Sequence, residues 1–273
     1  MPNLWDNLFK NAGVWEGTFT TLQPDGHEVS RVLSRLTLEK VGEARARFEV
    51  VRYPEDQPIQ QTATEFASIN RSNMFCEDGS FTKGSMQWTS FSEFGTEFGL
   101  TLPNARLRLV QLFKPGGELN YFVLIQETRE GKDEVVRSPL SMGQLAGIWR
   151  GQATTYFTDW FIAEPVPTTL TIHSGPDPHQ FGQVWQVGDD KGQSSARQKG
   201  ACLFFKEGDL EYQLLLLPNG GSTLCPVTIK PNIAFRCELA WLVDSTTRIR
   251  LIRQYKEDGS WSHQTWIKEE KAD

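Results

Sequence analysis

From Val14 the chain alternates with period two: Trp15, Gly17 and Phe19 fall on one face, and Glu16, Thr18 and Thr20 on the other. This predicts a half-buried β-strand that stops at the turn signal Pro24-Asp25-Gly26. Residues 3–11 follow a different period. Trp5, Leu8 and Phe9 sit at i, i+3 and i+4, which predicts a short helix with one apolar face, placed to plug one end of the sheet formed by the later strands. Further strands are expected at residues 32–39, 44–53 and 61–69. In the second of these Ala46, Phe48 and Val50 alternate with Arg45, Arg47 and Glu49, the pattern of an antiparallel sheet with one wet face. A hairpin, residues 105–113 and 119–128 turning at Pro115-Gly116-Gly117, ends the series. Many short strands without a long helix predict a closed antiparallel β-barrel, which leaves no exposed edges.

The pattern then repeats. Gly13-Val14-Trp15-Glu16-Gly17 matches Gly147-Ile148-Trp149-Arg150-Gly151 at an offset of 134 (147 − 13). Arg106-Leu107-Arg108-Leu109-Val110 matches Arg248-Ile249-Arg250-Leu251-Ile252 at 142 (248 − 106), a match that runs on to Glu127 and Glu269. Eight extra residues (142 − 134) therefore lie inside the second unit, and the Gly- and Pro-containing stretch 173–181 is the expected place. The fold class is all-β, two tandem barrels each preceded by a plug helix, with units 1–138 and 139–273 joined by the charged, proline-ended segment 131–139. In the second unit residues 141–146 supply the plug, and strands are expected at 211–217, 234–243, 247–255 and 261–268. Each unit has its own opening strand and closing hairpin, so independent folding is expected.

A Gly-x-Trp first strand (Gly13, Trp15; Gly147, Trp149) after a short helix, followed by an antiparallel barrel, resembles the lipocalin and fatty-acid-binding-protein (calycin) superfamily over both halves. Trp241, Arg248-Ile249-Arg250, Asp258-Gly259 and Ile267-Lys268-Glu269 resemble the end of the S-type phycobiliprotein lyases, single barrels that deliver bilins, with Leu251 where those lyases usually carry a small hydroxyl residue. Taken whole, the chain resembles the two-barrel lipocalin-like proteins of cyanobacteria and plastids, a likeness that implies a fold and no particular reaction. The resemblance implies that Trp15 and Trp149 lie inside the plugged ends, each crossed by a cation from the last strand, Arg129 and Lys271 by position.

Composition narrows the chemistry. A net charge of −6 without a basic half disfavours nucleic-acid binding, which needs a positive footprint. Cys76, Cys202, Cys225 and Cys237 have no Cys-x-x-Cys spacing, which favours a reducing compartment, the cytoplasm or a plastid stroma. There is no apolar run for membrane insertion. Neither a Gly-x-Ser-x-Gly nor a Gly-x-Gly-x-x-Gly stretch occurs, so no catalytic residue is named. His173 and His179 lack partners at ligand spacing, and His27 and His263 read as surface or satisfied positions, so no metal is expected.

The Arg-x-Arg pairs are the most informative polar feature, because residues two apart in a strand face the same side. Inward, Arg106 with Arg108 and Arg248 with Arg250 make a cationic clamp for a carboxylate; outward, Leu107 and Leu109, or Ile249 and Leu251, fill the barrel. The pattern favours outward because unpaired buried charge is costly, and the lyase likeness favours inward in unit two. The ligand-binding candidates are Arg248, Arg250, Trp241, Trp185, Arg106 and Arg108, with Trp241 and Trp185 as flat faces beside the second clamp and Gly99 at the offset of Trp241 in unit one. The first expectation is binding or carriage of a small apolar or conjugated anion, a bilin or fatty acid. The alternatives are a bilin lyase or chaperone serving an acceptor protein, and a packed structural or protein-interaction module.

Overall fold

The computed structural model describes residues 4–134 and 136–272; Asn3 of the expected helix and Val135 of the linker lie outside them. Helix α1 (Leu4–Phe9) precedes nine strands: β1 (Gly13–Leu22), β2 (Glu28–Gly42), β3 (Arg45–Tyr53), β4 (Gln60–Phe66), β5 (Asn73–Phe75), β6 (Phe81–Gly84), β7 (Phe94–Thr101), β8 (Ala105–Phe113) and β9 (Leu119–Arg129). Helix α2 (Met142–Leu145) precedes ten: β10 (Gly147–Phe157), β11 (Val166–Ser174), β12 (Gln180–Val187), β13 (Asp190–Lys199), β14 (Cys202–Glu207), β15 (Leu210–Leu216), β16 (Gly221–Pro226), β17 (Phe235–Leu242), β18 (Thr247–Tyr255) and β19 (Trp261–Lys271). All neighbours are antiparallel. No helix among the described residues is long and apolar enough to cross a membrane.

Only the second unit closes. Strands β10 to β19 form a closed barrel, whereas the first unit is a curled open sheet in the order β4-β3-β2-β1-β9-β8-β7-β6-β5. The paired residues explain the difference. Trp15 pairs with Leu36 and Trp149 with Leu170, an offset of 134 (170 − 36). Val50 pairs with Thr62 where Trp185 pairs with Gly192, so β4 and β13 differ by 130 (192 − 62). Phe75 pairs with Phe81 where Leu216 pairs with Ser222, so β5 and β15 differ by 141 (216 − 75). The main insertion is therefore the 11 residues (141 − 130) that hold β14, and not the stretch 173–181 that the sequence suggested. Parity does the rest: across nine antiparallel strands the first and last run the same way, so antiparallel closure needs a tenth.

The repeated Gly-x-Trp-x-Gly stretch is built for the plugged end. Gly13 and Gly147 have φ of +120° and +127°, a region closed to most side chains. A Cβ on Gly17 or Gly151 would fall 1.9 or 2.1 Å from the carbonyl oxygen of Gln126 or Lys268, so only glycine permits this approach of neighbouring strands. Trp15 and Trp149 are both fully buried. Their indole nitrogens donate to Asn11 O at 2.9 Å and Leu145 O at 2.8 Å, on the segments that enter the strands.

The two units are not beads on a linker. Phe98, Leu100, Leu107, Leu109, Phe122 and Leu124 on the convex face of the first sheet share one apolar core with Leu239, Trp241, Ile249, Leu251 and Tyr255 of the second. Backbone bonds stitch the rim: Trp88 N–H to Gly259 O, Trp261 N–H to Met86 O, Leu119 N–H to Val227 O and Ile229 N–H to Gly117 O. Arg253 adds a bolt. It is fully buried, lies 3.6 Å from the Trp261 ring centroid, and donates to Thr82 Oγ1, Ser72 O and Ser85 O of the first unit.

Candidate functional site

Beside each buried tryptophan lies a tier of two arginines and two glutamates. The Arg-x-Arg pairs face inward, against the expectation from pattern alone, and in β8 Leu107 and Leu109 point the other way into the shared core. Both faces of β8 are buried, so the alternation carried no signal about which face was wet. In the first unit Arg106 Nε donates to Glu127 Oε2 at 2.7 Å, while Arg108 donates to both Glu127 oxygens at 3.0 Å and to Glu97 Oε1 at 2.7 Å. Arg106 and Arg129 lie 4.5 and 4.4 Å from the Trp15 ring, so a cation of the last strand crosses it as the resemblance implied. Lys271 does the same for Trp149 at 5.4 Å.

The second barrel repeats the arrangement. Arg250 makes a two-pronged contact with Glu238, at 2.8 and 3.0 Å, and its Nη1 lies 3.7 Å from Glu269. Arg248 sits 3.2 Å from Glu269 but without an aligned hydrogen bond, which leaves Arg248 Nη1 and both Glu269 oxygens without a hydrogen-bond partner. Burial would raise the Glu127 carboxyl, but Arg106 and Arg108 outweigh it and hold it down at about 2. Burial likewise opposes the charge on Glu238, and Arg250 overrides it, leaving that carboxyl lowered. Burial lowers the Arg106 and Arg248 guanidinium groups; Arg250, also buried, is raised by Glu238 and Glu269. Each tier carries two cations and two carboxylates, so its positive charge is balanced within the protein.

Of the residues singled out by sequence, Arg106 and Arg108 meet in one tier and Arg248 and Arg250 in the other. Trp185 joins the second interior, packed with Trp149 and Leu170 and lying over Gly192. Trp241 does not: it pairs with Ile249, on the opposite face from Arg248 and Arg250, and donates to Asn219 O in the groove between the units. Its counterpart is Leu100 rather than Gly99, because Gly99 pairs with Arg108 where Ala240 pairs with Arg250. That one-residue slip also hid Glu97 and Glu238, which match at 141 (238 − 97). Glu127 and Glu269 were visible in the repeat at 142 (269 − 127), and their placement opposite Arg106 and Arg248 was the available signal.

The second interior is nearly full. Its cavity measures about 50 Å³, bounded by the plug residues Met142 and Leu145, by Phe181, Leu203 and Phe205, and at its polar end by Arg248. The first unit, lacking the tenth strand, leaves Phe19, Phe48, Val50 and Phe81 half-exposed on its concave side.

Residues 1–132 match the family model described as the domain of unknown function DUF3598, N-terminal. The crystal structure of a protein of unknown function from the DUF3598 family of Nostoc punctiforme superposes with a TM-score of 0.93 at 35% identity, covering 100% of both chains. The chain belongs to the DUF3598 family. Residues 136–272 of this DUF3598 protein match a second model, described as the C-terminal domain of biogenesis factor required for ATP synthase 1. An S-type phycobiliprotein lyase from Guillardia theta aligns with 48% of the chain and 90% of its own, at 13% identity and a TM-score of 0.39. No curated protein matches the chain by sequence.

Proposed function

We propose that this DUF3598 chain is a protein-binding factor that acts in the assembly of a larger complex, with the two packed units as a rigid scaffold. The observation that carries this reading is the state of the second interior. A cavity of about 50 Å³ is far below the roughly 300–1,000 Å³ typical of small-molecule sites. The clamp arginines already hold glutamates, so a bilin or fatty-acid carboxylate would have to displace an internal partner. The description of the model matched by residues 136–272, a biogenesis factor required for ATP synthase, supports an ATP synthase component as the partner to test.

A second reading keeps a ligand but moves it. Phe19 lies 4.3 Å from Arg52 on the open concave side of the first unit, where a conjugated anion would find a flat apolar ring beside an exposed cation, Arg108 on its other side being held by Glu97 and Glu127. One set of titrations separates the two. Immobilised full-length protein is exposed to purified ATP synthase subunits, and in solution to free-acid bilin and a long-chain fatty acid, followed by tryptophan quenching. Saturable binding of a subunit with no quenching by either small molecule is the expected result. Micromolar one-to-one binding of bilin or fatty acid, abolished by Arg52→Ala and without any subunit binding, overturns it.

A further inference from the structure

A groove of about 820 Å³ lies between the two units, far larger than the cavity of the second interior and within the roughly 300–1,000 Å³ typical of small-molecule sites. One wall belongs to the first unit: Glu77 and Asp78 on the turn from β5 to β6, with Lys10 just after α1. The other wall belongs to the second: Trp266 on β19, and Trp160, Phe161 and Glu164 on the loop from β10 to β11. Both indoles are half-buried, and Phe161 is exposed. The walls meet where Trp266 Nε1 donates to Asp78 Oδ2 at 3.0 Å. Trp160 holds a φ of +73°, a left-handed conformation that a bulky residue rarely adopts and that recurs at ligand clamps.

The rings and carboxylates of this groove are partnered differently from those elsewhere in the chain. Arg129, Lys271 and Arg253 lie 4.4, 5.4 and 3.6 Å from the rings of Trp15, Trp149 and Trp261. Among the described residues no cation crosses Trp160, Trp266 or Phe161. The buried carboxylates of Glu127, Glu238 and Glu269 each face an arginine. Asp78 does not: its oxygens accept only from neutral groups, Ser80 N–H at 2.9 Å, Ser80 Oγ at 2.8 Å and Trp266 Nε1. Burial pushes its carboxyl above the ordinary range, against the hydrogen bonds from Ser80 and Trp266 that lower it. Lys10, the cation of the groove itself, donates to a peptide oxygen, Glu77 O.

We infer that the groove between the units binds an organic ammonium ion, with Trp160 and Trp266 against its charged head and Asp78 as the counter-charge. Such a head meets both needs at once. Ring faces attract a cation, more strongly as water is excluded, and a desolvated carboxylate without an arginine gains the partner that Glu127, Glu238 and Glu269 already have. An anion would meet Glu77, Asp78 and Glu164 against Lys10 alone. A metal ion would lack ligands, since no three His, Cys, Asp or Glu side chains converge among the described residues. The inference goes beyond the assembly reading and does not depend on it. Because the walls come from both units, only the whole chain presents the site.

The test titrates the full chain with tetramethylammonium and butylammonium, and with their neutral counterparts tert-butanol and butanol, by calorimetry and by the indole N–H signals in NMR. At least one cation should bind about tenfold more tightly than its neutral counterpart and move the Trp266 indole signal, which is assigned by its loss in Trp266→Phe. Preference for tetramethylammonium names a quaternary compound as the ligand class; preference for butylammonium names a primary amine. Asp78→Asn keeps an acceptor for Ser80 and removes the charge, and should weaken the cation about tenfold. Trp160→Gly removes a ring from the wall while relaxing the left-handed backbone, and should weaken it similarly with a wild-type circular dichroism spectrum. Lys10→Gln removes a competing charge and should strengthen binding. Should Asp78→Asn misfold, the exposed Glu164→Gln serves in its place, with a loss of about threefold that salt diminishes. Absence of cation binding in the millimolar range overturns the inference, as does equal binding of the neutral compounds. Cation binding that leaves the Trp266 signal in place, or that survives both Trp160→Gly and the carboxylate variant unchanged, also overturns it.

Discussion

Glu127→Gln is the sharpest test of the charge tier, because one carboxylate there serves two arginines. In the folded protein Glu127 accepts from Arg106 at 2.7 Å and twice from Arg108 at 3.0 Å, with almost no solvent contact. Its carboxyl falls from an ordinary 4.5 to about 2. At about 1.4 kcal/mol per tenfold change in proton affinity, ionised Glu127 contributes about 3 kcal/mol. The sign comes from the direction: a folded value depressed below the unfolded one gives stability that is complete above pH 4.5 and is lost as pH falls towards about 2. Glutamine removes that charge and leaves two buried guanidinium groups facing one another across Glu97 alone, a loss of about 3–5 kcal/mol at pH 7. Urea unfolding followed by tryptophan fluorescence between pH 7 and 2.5 is the assay. Wild type should lose stability across the acid limb more steeply than Glu127→Gln, so that the two curves converge below pH 3. A variant within 1 kcal/mol of wild type at pH 7, or a difference that stays constant down to pH 2.5, refutes the reasoning.

Arg253→Met tests the bolt between the units: it removes the donor to buried Thr82 Oγ1 and to the part-buried Ser72 O and Ser85 O together with the stacking on Trp261, and should cost about 3–5 kcal/mol in urea unfolding at neutral pH, against less than 1 kcal/mol for the exposed Arg45→Met. Separately expressed halves 1–134 and 136–273 should each be insoluble or unfold without a cooperative transition, and should recover a single transition when co-expressed, because Phe98, Leu107, Leu239 and Leu251 share one core. A cooperative transition in either half alone would show that its convex face is not needed for its fold.

Most strands were legible because their signals are local. Period-two alternation and Gly-Pro turns mark β1, β3 and the closing hairpins, and the repeated Gly-x-Trp-x-Gly stretch arises from needs that only glycine meets. Closure was not legible, because it depends on strand count rather than on any residue. Strand β14, Cys-Leu-Phe-Phe-Lys-Glu, looks like any short strand, and its effect appears only when the pairs on both sides are counted. A gapless match at the start and another at the end conceal a hairpin shortened between β12 and β13 and a strand added after it, since only the net eight residues survive in the offsets.

The same limit shaped the site. Alternation assigns arginine to water and leucine to the core when one face of a sheet is wet, and on β8 neither face is. Leu107 and Leu109 are buried by the other unit, and Arg106 and Arg108 by their own, so the costly choice became acceptable because glutamates stand opposite. The glutamates were the evidence that the clamp is internal, and half of that evidence lay one residue out of register, where β7 and β17 reach β8 and β18 through turns of different length. Once Glu97 is matched to Glu238, the repeated unit is no longer a pair of cations awaiting an anion. It is a balanced tier kept in both halves of one chain, while closure is not, because β14 is present in the second unit alone. A feature kept in both copies serves what the copies share, the stability of a plugged sheet, and the strand that closes the second barrel is what separates them.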